Sequence, residues 1–135
     1  MTKTLVIDCE TTGLDPERHD VWEIGVIEVG AAGERTEHLW LIKPDMAKAD
    51  PAALQIGQFY ERTADVTFSG EHYPVHDLAQ TGKRSWSHPV SVAGVLAPML
   101  SGAVWCGSNP AFDAGFIAPL LLDNEIGRAS CRERV

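Results

Sequence analysis

Two acidic residues lie at the end of the first apolar run of the chain. Val6 and Ile7 lead directly into Asp8, and Glu10 follows two positions later. Side chains alternate between the two faces of a β-strand, so both carboxylates should emerge on the same face of a sheet. Two like charges this close are costly to remove from water unless something positive lies between them. The spacing fits either two solvated acids at a strand end or a site for a hard cation such as Mg²⁺ or Mn²⁺.

The composition is that of an ordinary single-domain protein. The chain has 135 residues, of which 44% are hydrophobic and 22% are charged, so it can bury a core and is not expected to be disordered. It has no run of about 20 apolar residues, and its first acid comes too early for a signal peptide. Three cysteines without close CxxC spacing disfavour a zinc site or a disulfide framework. We therefore expect a cytoplasmic protein with no membrane partner.

Acidic residues outnumber basic ones in this chain. Nineteen Asp and Glu stand against 11 Lys and Arg, which gives a formal charge of −8. Nucleic-acid binders normally contact phosphates through basic patches, so the net charge alone argues against that class. This argument from net charge does not apply to acids that hold divalent cations. Three carboxylates with two Mg²⁺ ions carry one net positive charge and therefore attract a phosphate. The charge therefore excludes no function until the acids are located.

The first part of the chain predicts three consecutive strands. Thr4–Ile7 is a short apolar run typical of a strand buried on both faces. Glu23–Val29 and His38–Ile42 are two further strand candidates, and Ala31–Glu34 between them is typical of a hairpin turn.

Helices and one further strand are expected in the remainder. Asp50 followed by Pro51 predicts a helix start, with a capping side chain before a proline at the first helical position. We expect this helix to run to about Arg62 and to bury Leu54, Ile56 and Phe59. The glycines and prolines of residues 63–87 predict a long loop. The elements expected after it are a helix from Pro89 that Pro98 kinks or shortens, a strand over Ala103–Gly107 and a helix over Phe112–Leu122.

Two longer strings around acidic residues resemble the motifs of one enzyme superfamily. The first, Asp8-Cys9-Glu10-Thr11-Thr12-Gly13-Leu14, directly follows the first apolar run. The second, Asn109-Pro110-Ala111-Phe112-Asp113, follows the predicted fourth strand and enters a helix. In this order and context they resemble the first two motifs of the DnaQ-like (DEDD) 3′→5′ exonucleases. Glu23-Ile24-Gly25 also resembles the family, and the resemblance covers about residues 4–122.

The resemblance implies a fold, a reaction and a set of site residues. The fold is a ribonuclease-H-like α/β domain with a mixed central sheet flanked by helices, and the reaction is two-metal hydrolysis of terminal phosphodiesters in DNA. Asp8, Glu10 and Asp113 match catalytic acids that bind two Mg²⁺ or Mn²⁺ ions, with Asp8 bridging both. Thr11 and Leu14 match positions that contact the terminal nucleotide. The implied partner is a single-stranded or 3′-ended nucleic acid, and a polymerase subunit is a further candidate.

Three other motif residues are expected to be structural. Asn109 suits a capping role at the turn before the helix, and Phe112 suits a core position that orients Asp113. Gly13 needs no role beyond allowing a tight turn.

The sequence departs from the family after the second motif. The third motif of the family, a His or Tyr followed a few residues later by Asp, has no counterpart, because no His or Tyr follows Asp113. We therefore expect the final strand and helix of the fold to be missing, and residues 1–124 to form an incomplete exonuclease domain with little or no activity. Residues 125–135, with three arginines and little apolar periodicity, are expected to be a non-native or disordered tail. All five histidines precede the second motif and are expected to have surface or structural roles.

Three alternatives to a DNA exonuclease stay open. An RNA-trimming enzyme of the same superfamily shares both motifs. A non-catalytic nucleic-acid-binding module would keep the fold and lack the third motif. A purely structural metal site is the third alternative, although acid clusters at exposed sheet ends are unusual as stabilisers.

Overall fold

The computed structural model describes residues 2–124. The predicted tail, residues 125–135, lies outside the described residues. The strands are β1 (Thr4–Thr11), β2 (Val21–Val29), β3 (Arg35–Leu41) and β4 (Val104–Cys106). The helices are α1 (Pro51–Ile56), α2 (Phe59–Thr63), α3 (Leu78–Thr81), α4 (Pro89–Leu100) and α5 (Pro110–Asp123), with a 3₁₀ turn at Met46–Lys48.

The four strands form one mixed sheet in the order β3-β2-β1-β4. Strand β1 runs antiparallel to β2 and parallel to β4, and β2 runs antiparallel to β3. The pairing of β1 with β4 ends where Val6 faces Cys106, so within residues 2–124 the last half of β1 has no strand partner on that side. This mixed sheet with helices confirms the predicted α/β architecture.

The main core lies between one face of the sheet and the two long helices. Leu5, Ile7 and Cys9 of β1 are buried there together with Leu96 of α4 and Ile117 of α5. Buried and exposed positions alternate along β1, as in a strand with one face on the core, so the prediction that Thr4–Ile7 is buried on both faces is wrong. This arrangement leaves the even-numbered side chains of β1 on the opposite face.

A second apolar cluster lies beside the end of β1, and its buried members are Trp22, Leu41, Leu54, Phe59 and Trp86. The ring of Trp22 meets the ring of Phe59 edge to face, with centroids 5.0 Å apart. This cluster fixes α1 and α2 against the sheet. Among residues 2–124, no helix combines the length and the apolar character that a membrane crossing requires.

The predicted helix over residues 51–62 is wrong as a single element. It breaks between α1 and α2, where Gln58 adopts a left-handed conformation with φ of 55°. The break also changes which side chains are inward: Leu54 and Phe59 are buried as predicted, whereas Ile56 is 85% exposed. Residues 51–62 are compatible with one helix, but the packing of Phe59 against Trp22 favours two shorter helices.

One further expectation about helices needs correction, because the predicted loop over residues 63–87 contains the short helix α3. Pro98 lies inside α4 without shortening it, since the helix continues to Leu100, and a kink at Pro98 stays a prediction. The fourth strand and the last helix occur close to their predicted positions.

Candidate active site

The two acids of the first motif lie on the sheet face opposite the main core. Cys9 between them is buried in the core, whereas Asp8 is exposed and Glu10 is half-buried. Asp8 lines a shallow groove of about 270 Å³ that runs across β1, β2 and β3 to Ala79. The strand alternation predicted from the sequence therefore places both carboxylates where solvent or a ligand can reach them.

Asp113 of the second motif reaches the same strand from the first turn of α5. Its Oδ1 atom accepts a hydrogen bond from the backbone N–H of Cys9 at 3.1 Å. The side chain is almost fully buried, with 4% of its surface exposed. Because β4 ends opposite Val6, this stretch of the β1 edge is open to a side chain. Asp113 thus contacts the residue that separates Asp8 from Glu10.

Gly107, directly after β4, makes room for this contact. A Cβ atom at this position would lie 2.7 Å from the carbonyl oxygen of Ile7 and 3.7 Å from Oδ2 of Asp113. Any other residue would collide with the backbone of β1, so the chain can pass this close only at a glycine. Sequence reasoning assigned Gly107 no role, because the close approach depends on tertiary packing.

The electrostatics reflect three acids near one strand end. Burial raises the pKa of Asp113, and the negative charge of Asp8 adds to the shift, while hydrogen bonds from Cys9 oppose it. Burial, followed by the neighbouring charge of Glu23, raises the pKa of Glu10, and the guanidinium of Arg62 opposes that shift. Burial and the Asp113 carboxylate raise the pKa of the Cys9 thiol far above its usual range. Negative charge is therefore concentrated at this strand end, and Arg62 offsets part of it.

The donor set fits a hard cation by its chemistry, since all three predicted ligands are carboxylates. They are not arranged as a ready coordination shell: within residues 2–124, no group of three or more His, Cys, Asp or Glu side chains is positioned to hold a metal ion. Oδ1 of Asp113 is engaged by the backbone of Cys9, and Oε1 of Glu10 lies 3.9 Å from Nη1 of Arg62. The three acids are thus brought to one strand end, and their joint coordination of an ion stays a prediction.

The two predicted nucleotide-contacting residues lie in the turn after β1. The hydroxyl of Thr11 donates a hydrogen bond to the carbonyl oxygen of Gly13 at 2.6 Å, so in this structure it stabilises the turn. Leu14 is 79% exposed and therefore contributes little to the core. An exposed apolar side chain next to the acids is compatible with contact to a base.

Thr12 is the structural centre of this turn, which sequence reasoning missed. It is fully buried, and its hydroxyl oxygen accepts a hydrogen bond from the N–H of Asp20 at 2.9 Å. Its carbonyl oxygen accepts from the N–H of Asp50 at 2.7 Å. Thr12 therefore ties the first motif to both β2 and the start of α1.

The expectations for the other motif residues have mixed outcomes. Phe112 packs against the main core, as predicted. Asn109 precedes α5 without a side-chain capping hydrogen bond, so the predicted capping role is wrong. Gly13 does not have a positive φ; instead the ring of His19 occupies the space of its Cβ, 2.3 Å from the ideal position.

Three of the histidines make local structural contacts, as expected. Nδ1 of His19 accepts a hydrogen bond from the N–H of Asp15 at 3.1 Å, and Nδ1 of His88 accepts one from the N–H of Val90 at 3.2 Å. His38 lies between the carboxylates of Glu28 and Asp77, at 3.0 and 2.6 Å. These contacts assign the three rings to turns, a helix start and the sheet edge.

Comparison with known proteins agrees with the motifs. Residues 5–69 match the family model described as Exonuclease, a span that contains Asp8 and Glu10 and ends before the second motif. No curated protein sequence matches the chain at a significant level.

Solved structures of exonuclease I share the fold. The E. coli enzyme in complex with a dT13 oligonucleotide aligns with a TM-score of 0.63 and 15% identity, over 92% of this chain and 24% of that one. A product-bound structure aligns with a TM-score of 0.64 and 15% identity, over 92% and 26%. The zinc-bound E. coli complex with single-stranded DNA gives 0.65 and 15%, over 92% and 24%. The chain thus spans about a quarter of the length of the structures it matches.

The family match and the shared fold confirm the resemblance to the DEDD-type exonucleases. They also confirm the ribonuclease-H-like character of the α/β fold. The sheet and α5 bring Asp113 of the second motif to the strand that carries Asp8 and Glu10.

Proposed function

We propose that the chain forms part of a metal-dependent 3′→5′ exonuclease domain that acts on the ends of DNA. The observation that carries the proposal is the hydrogen bond from the Cys9 N–H to Asp113 at 3.1 Å. It brings the acid of the second motif to the strand end that holds both acids of the first. The same contact satisfies the buried N–H of Cys9, so Asp113 would support the fold and supply a ligand at the same place.

Asp8, Glu10 and Asp113 would hold the divalent cations, with Asp8 shared between two sites. Two Mg²⁺ or Mn²⁺ ions, when bound, would supply an activated water and stabilise the departing 3′ oxygen. On binding, Glu10 would exchange its 3.9 Å contact with Arg62 for the ion, and Asp113 would present its second oxygen. The buried position of Asp113 and the backbone contact of Cys9 restrict its rotation, which favours a fixed ligand geometry.

Thr11 and Leu14 would position the terminal nucleotide. Leu14 offers an exposed apolar surface to a base, and the hydroxyl of Thr11 is already oriented by Gly13. A single-stranded 3′ end is the proposed partner, and a polymerase subunit is a candidate for the surrounding assembly.

The chain by itself should hydrolyse slowly. After Asp113 there is no His or Tyr, so this region offers no side chain of the type that deprotonates the attacking water near neutral pH. A positioned general base contributes about 10²–10⁴-fold to a rate. Binding of a nucleic-acid strand end should depend on the three acids and should not require the general base.

Metal-dependent binding tests the proposal directly. A fluorescent single-stranded DNA with a free 3′ hydroxyl is titrated with the chain in EDTA and in Mn²⁺, followed by anisotropy, with a matched RNA in parallel. We expect Mn²⁺ to tighten binding of the DNA and Asp8→Ala to abolish that gain. Prolonged incubation of a 5′-labelled strand should give products that shorten from the 3′ end.

The alternatives predict other results in the same experiment. Equal binding in EDTA and Mn²⁺, unchanged in Asp8→Ala, would favour a non-catalytic binding module. A preference for the RNA strand would favour the RNA-trimming alternative. No affinity for either strand by anisotropy, with tight Mn²⁺ binding in a separate calorimetric titration, would leave a structural metal site.

A further inference from the structure

Glu10 and Glu23 oppose each other directly in the sheet. They are register partners in the antiparallel pairing of β1 with β2. Like charges at directly opposite positions destabilise a strand pair. Glu23 is the more buried of the two, with 13% of its side chain exposed against 32% for Glu10. The sheet therefore carries a repulsive pair at the end of β1, next to the candidate metal ligands.

One cation contacts both members of the pair. Nη2 of Arg62 donates a hydrogen bond to Oε2 of Glu23 at 2.5 Å, and Nη1 lies 3.9 Å from Oε1 of Glu10. The same guanidinium lies over the ring of Trp22, 5.3 Å from its centroid. A delocalised, always charged guanidinium with several fixed donors suits such a position better than an ammonium group does.

The fold directs Arg62 to this place by two features. The helical conformation is interrupted at Gln58, which has a φ of 55°. Helix α2 begins directly after it, in a new direction. At the end of α2, Arg84 donates a hydrogen bond from Nη2 to the carbonyl oxygen of Arg62 at 2.6 Å. The interruption of the predicted single helix at Gln58 therefore helps to place Arg62 beside Glu10 and Glu23.

Gly57, directly after α1, leaves room for the side chain of Glu10. A Cβ atom on Gly57 would lie 3.0 Å from Oε2 of Glu10 and 3.3 Å from the ring of Trp22. Glu10 therefore lies beside the end of α1 as well as beside the guanidinium of Arg62. Its contact with Arg62, at 3.9 Å, is looser than that of Glu23.

We propose that Arg62 is a positioning residue: it neutralises Glu10 and Glu23 together and yields Glu10 to a divalent cation. Glu23 anchors the guanidinium, and Glu10 is the partner that can exchange. This inference rests on the proposed function, because it takes Glu10 as a metal ligand. It assigns Arg62 opposite effects on the metal-free protein and on metal binding.

The test compares Arg62→Gln and Arg62→Lys with the wild type and with Lys83→Gln. Lys83 forms a surface pair with Glu71 at 4.0 Å, so its replacement changes the net charge equally without removing a contact of Glu10 or Glu23. Thermal unfolding in EDTA and calorimetric titration with MnCl₂ are the two measurements. In Arg62→Gln we expect a lower unfolding temperature in EDTA and a dissociation constant for Mn²⁺ that is lower by about 3–10-fold, since a repelling charge is removed.

The controls separate this role from simple support of the fold. Arg62→Lys should lie between the wild type and Arg62→Gln in both measurements, and Lys83→Gln should match the wild type. Adding Glu23→Gln to Arg62→Gln should restore stability in EDTA, because the opposed pair no longer carries two charges. A purely structural Arg62 would lower stability without tightening Mn²⁺ binding, and that result would overturn the proposal.

Failure of the proposed function gives a different result. A wild-type protein that binds no Mn²⁺ would overturn the metal site itself. In that case the Arg62 and Glu23 variants in EDTA still test the contact. If Glu23→Gln fails to restore the stability lost in Arg62→Gln, the neutralising role of Arg62 is wrong as well.

Discussion

The carboxylate of Asp113 and the backbone N–H of Cys9 are 3.1 Å apart and join α5 to β1 across 104 positions of the chain. The contact satisfies a buried backbone donor at the stretch of β1 where β4 has already ended. Asp113 therefore has two separable functions, one in the fold and one as a proposed metal ligand. A substitution that keeps the acceptor and removes the charge distinguishes them.

Asp113→Asn should retain the fold and lose metal binding. The amide oxygen can still accept the hydrogen bond from Cys9, and burial already disfavours the charged form of Asp113. We expect the free energy of unfolding at neutral pH to stay within about 1 kcal/mol of the wild type. Calorimetric titration with Mn²⁺ should show a large loss of affinity.

Asp113→Ala is the matched variant without an acceptor. It leaves the Cys9 N–H unpaired in a buried position, which costs about 1–3 kcal/mol. Urea denaturation measures the difference between the two variants. If Asn and Ala destabilise the protein equally, the hydrogen bond contributes nothing and the two functions are not separable in this way.

Gly107→Ala should destabilise the domain without changing any charged group. The added Cβ would lie 2.7 Å from the carbonyl oxygen of Ile7, and this neighbour is backbone that cannot rotate away. Forcing such a contact costs about 1–3 kcal/mol. Gly70→Ala is the control, because a Cβ there meets no atom within 4 Å. Equal midpoints of urea unfolding for both variants would show that β4 can shift to accommodate the methyl group.

The parts of the site that the sequence predicts are those that depend on local pattern. The shared face of Asp8 and Glu10 follows from strand alternation, and the position of Asp113 in a helix follows from its motif and the preceding proline. The strands and the two long helices likewise follow from apolar patterns along the chain. Each of these features is decided within a few residues of chain.

The features that the sequence missed all require distant contacts. The break at Gln58 depends on the packing of Phe59 against Trp22, and the need for glycine at position 107 depends on the neighbouring strand. The contact of Arg62 with Glu23 joins positions 39 residues apart. The patterns used for prediction contain no information on such pairs, because helix propensity and periodicity describe only the segment itself.

The stability of the sheet edge should depend on pH through His38. The ring lies between Glu28 and Asp77, and hydrogen bonds to these two carboxylates outweigh desolvation and raise its pKa above 6.5. A raised pKa in the folded state stabilises the protein fully below the unfolded value, about 6.5, and this contribution is lost as pH rises through the folded pKa. We expect the unfolding temperature of the wild type to fall across that interval.

The acid side of the same network has the opposite sign. Hydrogen bonds from His38 lower the pKa of Glu28 below 4.5, so its contribution is present above the unfolded value and is lost as pH falls through the folded pKa. His38→Gln should flatten the fall in unfolding temperature near neutral pH. A wild-type profile identical to that of His38→Gln would show that the ring is not charged in the folded protein.

Cys9 and Cys106 should differ in reactivity toward a thiol reagent. Cys9 is buried, and burial together with the Asp113 carboxylate raises its pKa, so it stays a protonated thiol in the folded protein. Cys106 is exposed. In a Cys131→Ser background we expect one thiol to react in the native state and a second only in denaturant. Cys106→Ser should remove the native-state reaction, and a fast reaction that persists in that variant would contradict the buried position of Cys9.

Leu14→Ala should impair the handling of the strand end and leave the fold intact. The side chain is 79% exposed, so its truncation removes little buried surface and should not change the urea midpoint. If Leu14 contacts the terminal base, truncation weakens binding of the 3′ end and lets the scissile bond shift, and a shift of about 1 Å can reduce a rate on the order of 100-fold.

The measurement is anisotropy with a short 3′-ended DNA in Mn²⁺, together with Mn²⁺ calorimetry that should match the wild type. Ile56→Ala, which removes an equally exposed apolar side chain at the end of α1, is the control for nonspecific loss of surface. Unchanged DNA binding in Leu14→Ala, or an equal loss in Ile56→Ala, would show that Leu14 does not contact the strand end.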